Sequence, residues 1–233
     1  MFVPERSPLV IPAVSPLSFP ADLEARLGAI GVTLSEAARD QVSAYLAQLL
    51  AMNALMNLTA IEDPGVAWEK HALDALALVP LLPPVSSTGK GSRLRLIDIG
   101  SGGGLPGIPL AIARPDVRVM LVEATQKKAS FLSAVSAGLG LDNVEVRAER
   151  AEDLARGELA GKFDVVTARA VARLSALLPL TAPFAKGGGL LLLVKGQRAD
   201  EELAEAKTLI KKLGLRHEGT RTTPTGRIVS LRR

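Results

Sequence analysis

Cysteine is absent from the 233 residues, and histidine occurs only twice, at His71 and His217. That excludes disulfides, thiolate nucleophiles, zinc fingers and any multi-histidine metal cage. Only a carboxylate-held Mg²⁺ would remain as metal chemistry, and no residue is assigned to a metal. Aromatic side chains make up 3% of the chain, too few for a platform that stacks bases on rings. Long apolar runs are missing too. The longest, 72–85, is interrupted by Asp74 and three prolines, so no membrane span is expected. The first twenty residues lack a basic start and carry Pro4, Pro8, Pro12, Pro16 and Pro20, which is not a secretory signal. The expectation is a soluble, cytoplasmic protein without membrane attachment.

What is present is globular in character. Hydrophobic residues account for 48% and charged residues for 22%, enough to build a core in a chain above the usual single-domain length. The net charge of +4 is unevenly spread: from Lys186 onward there are 11 Lys and Arg against 5 Asp and Glu, and before it 17 against 19. A basic carboxyl-terminal part suits a phosphate-rich partner, although on charge alone it reads more readily as a solvated surface.

Three units follow along the chain. Residues 1–20 read as a proline-spaced, flexible arm. Residues 21–92 read as a helical extension with a linker. Apolar residues at helical spacing run over 22–55, Ser35 is a candidate cap inside that stretch, and a third helix is predicted over 64–82. The segment 83–92, rich in proline, glycine and serine, reads as the connection. Residues 93–233 then alternate strand and helix. Strands are predicted at 94–99, 117–123, 144–146, 163–167 and 190–194, with helices at 105–113, 125–139, near Glu152 and Ser175, and at 201–213. This spacing implies a doubly wound α/β sheet, mostly parallel. An antiparallel hairpin at 217–222 and 228–231, turning at Pro224-Thr225-Gly226, is expected to close it.

The most informative stretch is Asp98-Ile99-Gly100-Ser101-Gly102-Gly103-Gly104-Leu105-Pro106-Gly107, which leaves the first strand and enters a helix. Nucleotides lie at this place in open parallel sheets. Glycines let the backbone approach a ligand, and free amides at the helix start favour an anionic group. Gly102 to Gly107 formally matches the dinucleotide fingerprint, but a lone match is weak. The spacing Asp98-x-Gly100-x-Gly102-x-Gly104 instead resembles the first motif of class I S-adenosylmethionine-dependent methyltransferases. Glu123, 25 residues after Asp98 at the end of the second strand, is placed to accept from ribose hydroxyls.

Further residues narrow the resemblance. Asn57-Leu58-Thr59-Ala60-Ile61, His71-Ala72-Leu73-Asp74, the loop through Pro109, Lys127-Lys128, Phe131-Leu132, Arg150 to Asp153, Ala168 to Ala172 and Lys195-Gly196 together resemble the bacterial small-subunit ribosomal RNA guanine-N7 methyltransferase G family, also called glucose-inhibited division protein B. The resemblance covers the chain from about Asn57. It implies a class I methyltransferase fold over 93–233 and S-adenosyl-L-methionine as methyl donor. The implied donor contacts are Gly100, Leu105, Glu123, Ala151, Glu152 and Arg169, to which the motif adds Asp98, Gly102 and Gly104. The implied partner is small-subunit (16S) ribosomal RNA or the 30S particle, and a monomer is expected. In two places the chain departs from the family pattern: Ala75 follows Asp74 where the family usually has serine, and the arm has no counterpart.

The residues also bear on the reaction class. Methylation of cytosine C5 needs a cysteine nucleophile, and none exists. Methylation of exocyclic amines usually comes with an Asn/Asp-Pro-Pro-aromatic turn after the fourth strand, where this chain reads Thr167-Ala168-Arg169-Ala170. A ring nitrogen, which needs no general base, passes both tests. Arg169 is the candidate catalytic residue, ordering the donor and contacting guanine O6. Lys127, Lys128, Arg173, Lys195 and Arg198 follow strand ends on the side of the glycine loop, and are candidates for RNA phosphate contacts. His71 and Asp74 are read as a structural pair, and Asn57-Leu58-Thr59 as a turn ending a helix. The rival functions are a small-molecule methyltransferase, an NAD(P)-dependent oxidoreductase and a non-catalytic RNA-binding protein.

Overall fold

The computed structural model describes residues 9–84, 93–169 and 172–233. Most of the expected connection at 83–92, the first eight residues of the arm, and Ala170 and Val171 lie outside these.

The amino-terminal layer begins with α1 (Leu23–Ala29) and α2 (Glu36–Met56). Gly31, at φ 75°, separates them. The Ser35 side chain accepts from the amide of Ala38 at 3.2 Å, satisfying one of the orphan donors that open α2. α2 buries Val42, Tyr45, Leu46, Leu49, Met52 and Met56, and stops at Asn57, whose φ of 49° is left-handed. The third predicted helix is not continuous. It divides into α3 (Pro64–Ala67), a π-helical turn (Trp68–Leu73), α4 (Asp74–Leu76) and a 3₁₀ turn at Val79–Leu81. Asp63 caps α3 by accepting from Val66 at 2.8 Å. π-turns concentrate where a protein departs from regular packing to serve a site.

The second unit holds β1 (Leu94–Ile99), α5 (Gly107–Ala113), β2 (Val117–Val122), α6 (Gln126–Gly138), β3 (Val144–Arg147), α7 (Ala151–Ala155) and β4 (Phe163–Arg169). α8 (Leu174–Thr181), β5 (Ala185–Lys195), α9 (Ala199–Lys212), β6 (Arg216–Thr222) and β7 (Arg227–Arg232) complete it. The sheet runs β3-β2-β1-β4-β5-β7-β6; its first four pairings are parallel and β7 is antiparallel to both neighbours. The α/β class, the mostly parallel sheet and the closing hairpin are therefore as the sequence predicts.

The pleat sends alternate residues to opposite faces. Leu94 and Leu96 of β1 join a core with α2, α5 and α6, whereas Ile97 and Ile99 join one with α8 and α9. The arm differs from expectation. Residues 9–20 form no regular element but are tied down: Ser43 donates to the Leu17 carbonyl at 2.6 Å and Trp68 Nε1 to the Ser18 carbonyl at 3.0 Å. The Phe19 and Trp68 rings meet edge to face at 5.8 Å. Proline spacing keeps this segment extended, which leaves its carbonyls free for side-chain donors. No helix among the described residues is long and apolar enough to cross a membrane.

Candidate active site

The register of the sheet assembles the site. β1 pairs with β2 so that Ile99 lies beside Val122, and with β4 so that Ile99 also lies beside Ala168. One residue further on, Gly100 is flanked by Glu123 on one side and Arg169 on the other. This is the point where strand order reverses, the usual ligand crevice of an open α/β sheet.

The loop between β1 and α5 is folded tightly. The amides of Gly100 and Ser101 both donate to the Val122 carbonyl, at 2.9 and 3.0 Å, and Ser101 Oγ donates to the Asp98 carbonyl at 3.0 Å. Gly100, Gly102 and Gly104 have φ of 70°, 56° and 103°. On its far side the loop rests against the helical layer. Tyr45 donates from its hydroxyl to the Gly103 carbonyl at 2.9 Å, and a Cβ on Gly103 would lie 2.7 Å from Leu49. Burial pushes the Tyr45 phenol well above its ordinary pKa, which keeps it a donor.

Asp98 lies beneath the loop rather than in the crevice. It is fully buried, with Oδ1 accepting from the Thr167 hydroxyl at 2.8 Å and Oδ2 from the Gly107 amide at 3.3 Å. Burial raises its pKa to about 6, and these hydrogen bonds with the Arg169 charge oppose the rise. It anchors the loop to β4 and α5, and reaches a ligand only through them. Glu123 bridges the loop to the next turn, accepting from Gly102 at 3.0 Å and Thr125 at 2.7 Å. Each carboxylate oxygen keeps lone-pair capacity for a further donor.

Gly100, Ser101, Gly102, Gly103, Leu105, Thr59, His71 and Arg169 are among the residues lining an open cavity of about 310 Å³, within the range of small-molecule sites. Gly104 is packed behind it against Ile108, Leu132 and Tyr45. Ala151 and Glu152 open α7 after β3 and are not among the residues lining this cavity. Arg169 is largely buried, which lowers its pKa, while the charge of Asp74 opposes that shift. Its Nη1 is buried and finds no partner among the described residues. Arg169 also lines the cavity, so its guanidinium brings a positive charge to that wall.

The candidate phosphate contacts separate into two kinds. Lys127 is exposed and reaches the Leu55 carbonyl at 2.8 Å; Lys128 is half-buried beside it. Arg173 and Arg198 are exposed and paired with Glu205 and Glu201, at 3.1 and 2.8 Å. Lys195 differs from expectation because it is buried. Its ammonium is 2.9 Å from Glu202 and donates to the Ala172 carbonyl, and Glu202 also accepts from the Leu174 amide at 2.9 Å. That charge is spent inside the protein, tying β5 to the segment after β4. Tyr45, Thr59 and His71 are site residues that loop spacing does not reveal. The only available signal for Tyr45 is that it is the single tyrosine of the chain.

Comparison with known proteins places this geometry. Residues 38–227 match the family model described as GidB, rRNA small subunit methyltransferase G. The chain is 61% identical over 229 residues to the ribosomal RNA small subunit methyltransferase G of Sorangium cellulosum, covering 98% of this chain and 94% of that protein. Its counterpart from Syntrophotalea carbinolica is 43% identical over 192 residues, covering 82% and 85%. Among solved structures, a SAM-dependent methyltransferase from Aquifex aeolicus superposes with a TM-score of 0.53 at 16% identity, covering 76% of this chain and 95% of that one. TYW2 of P. horikoshii in complex with MeSAdo gives 0.50 at 15% identity, covering 61% and 58%. These two share the fold.

Proposed function

The chain belongs to the rRNA small subunit methyltransferase G family, and on that premise we propose that it moves a methyl group from S-adenosyl-L-methionine to N7 of a guanine in small-subunit (16S) ribosomal RNA. The observation that carries the reading is the placement of Gly100 between Glu123 and Arg169 at the reversal point of the sheet, beside a cavity lined by the glycine loop and Arg169.

The residues fit such a donor. Gly100, Gly102 and Leu105 give the cavity a wall of backbone, because a side chain on the glycines would intrude on it. Glu123, with lone pairs to spare, accepts from the ribose hydroxyls; Ala151 and Glu152 border the adenine; Asp98 and Gly104 hold the loop in shape from below and behind. When bound, the donor supplies a methyl group already activated on a sulfonium. The protein's task is then alignment, and holding two reactants in line can supply roughly 7–11 kcal/mol. Guanine N7 carries a free lone pair and needs no base. Arg169 orders the donor and donates to guanine O6, which leaves N7 facing the methyl. Lys127, Lys128, Arg173 and Arg198 contact phosphates, whereas Lys195 serves the fold. The reading includes a monomer acting in the cytoplasm, on RNA or on the 30S particle.

The test is to incubate the protein with donor carrying a labelled methyl and bacterial ribosomal RNA, naked or as 30S particles, then digest and identify the product. Label in 7-methylguanosine is expected. Label only in metabolites would point to a small-molecule methyltransferase, RNA binding without transfer to a non-catalytic role, and tight binding of NAD(P) in place of the donor to an oxidoreductase.

A further inference from the structure

Arg169, the residue placed against the acceptor base, is held by an imidazole rather than by a carboxylate. Its Nη2 is 3.2 Å from Nδ1 of His71. A guanidinium has only donors, so Nδ1 must accept, and the one proton of a neutral imidazole then sits on Nε2. Nε2 is 2.7 Å from Oγ1 of Thr59, to which it therefore donates. Thr59 Oγ1 also accepts from the Ile61 amide at 3.1 Å, and the Thr59 amide donates to Asn53 Oδ1 at 2.8 Å. Both lone pairs of the Thr59 hydroxyl are thus taken within the relay. Thr59, His71 and Arg169 line the same cavity as the glycine loop.

We propose that His71 is a positioning residue of the methyl transfer: its Nδ1 holds the Arg169 guanidinium at the cavity wall for the acceptor base, and Thr59, accepting from Nε2, fixes the imidazole tautomer that leaves Nδ1 free to accept. A guanidinium offers only donors, so it matches a carbonyl oxygen such as guanine O6 and rejects an amino group at the same place, where donor would face donor. With the guanidinium engaged by O6, the neighbouring N7 lone pair stays free to react. The proposal rests on the guanine-N7 reading above and adds how the base is oriented. The π-helical turn that carries His71 and the left-handed Asn57 that precedes Thr59 bring the two residues into reach of one another.

The experiment compares His71→Asn with His71→Gln in the full-length protein. The Asn amide oxygen falls where Nδ1 stood and still accepts from Arg169; the Gln amide reaches the Nε2 position and leaves Arg169 without its acceptor. Turnover on ribosomal RNA is expected to fall roughly 100-fold for Gln and about 10-fold or less for Asn, the scale set by displacing a reacting group by about an ångström. Donor affinity, by calorimetry, is expected to fall less than turnover does in the Gln variant, because Arg169 orders the donor as well as the acceptor base. Thr59→Val, which removes the acceptor that fixes the imidazole tautomer, is expected to lower kcat about 10-fold. Equal turnover of the Asn and Gln variants, or wild-type kcat for the Gln variant, would overturn the proposal. If the wild-type protein itself places no methyl on guanosine in RNA, the underlying reading fails instead, a result visible before any variant is made.

Discussion

Replacing Gly104 by alanine tests whether the glycine loop is held in one shape by what lies behind it. At φ 103° the backbone is in a region that side chains rarely adopt, a strain of about 1–3 kcal/mol. The new Cβ would lie 2.6 Å from Ile108 Cγ1, and 3.2 Å from both Leu132 Cδ2 and the Tyr45 hydroxyl. All three are buried in the core, so the overpacking adds about 1–3 kcal/mol. The sum, about 2–6 kcal/mol, corresponds to a fall of about 1–2 M in the urea midpoint for a chain of this size. Gly140→Ala is the control. Gly140 has φ 66° with nothing within 4 Å of its Cβ, so it carries strain without collision and should lose only about 1 kcal/mol. Urea unfolding of both variants beside wild type, with calorimetric titration of the methyl donor, gives the comparison. Equal midpoints for the two variants, or unchanged donor affinity in Gly104→Ala, would refute the claim that the back wall dictates the loop.

Four other outcomes follow from the same contacts. His71 is depressed to about 4 by burial and by the Arg169 charge, so unfolding takes up a proton below its ordinary 6.5 that the folded protein refuses. Stability is then complete above pH 6.5 and declines by about 3 kcal/mol as pH falls toward 4, a slope that His71→Asn removes in urea titrations at stepped pH. Asp98 is raised from 3.8 to about 6 by burial, so its charge costs stability as pH climbs through that window. Asp98→Asn should therefore gain about 3 kcal/mol relative to wild type between pH 4 and pH 7, measured the same way. Tyr45→Phe removes one buried hydrogen bond to Gly103 and leaves its carbonyl unpaired, lowering stability by about 1–3 kcal/mol and weakening donor binding in calorimetry. Finally, Arg173→Ala and Arg198→Ala should each flatten the salt dependence of RNA binding by about 0.7 in log–log slope. Lys195→Met should leave that slope unchanged and instead lose about 1–3 kcal/mol, because it strands the partly buried Glu202.

Much of the architecture was legible because hydrophobic period and turn residues mark a parallel α/β sheet strongly. β1 is read to the residue, since Leu94 to Ile99 is bounded by a polar residue and by Gly100. β5 starts at Ala185, five residues before its predicted start, because three consecutive glycines hide a strand whose identity comes from pairing rather than side chains. The helix predicted over 64–82 was broken by a π turn, a change in backbone hydrogen bonding that leaves apolar spacing nearly intact. In the site, Gly100, Glu123 and Arg169 were legible because each ends a strand or follows one. His71 and Thr59 were assigned to structure because their partner, Arg169, lies 98 residues away from the imidazole. Lys195 was misplaced for the related reason that strand position fixes which end a side chain occupies, whereas burial depends on what covers it. The arm was read from its prolines alone, which could not reveal the Trp68 and Ser43 donors that fasten it.

The contact between Asp74 and the hairpin turn has a temporal side. Asp74 accepts from the amide and the hydroxyl of Thr225, a partner synthesised 151 residues later. While the nascent polypeptide is still growing, that carboxylate beside the future methyl-transfer centre has no clasp, and the loop it closes is among the longest the chain must draw together. Docking of the helical layer onto the antiparallel edge of the sheet through this contact is thus a late folding event, following the local helices and hairpins whose loops are short.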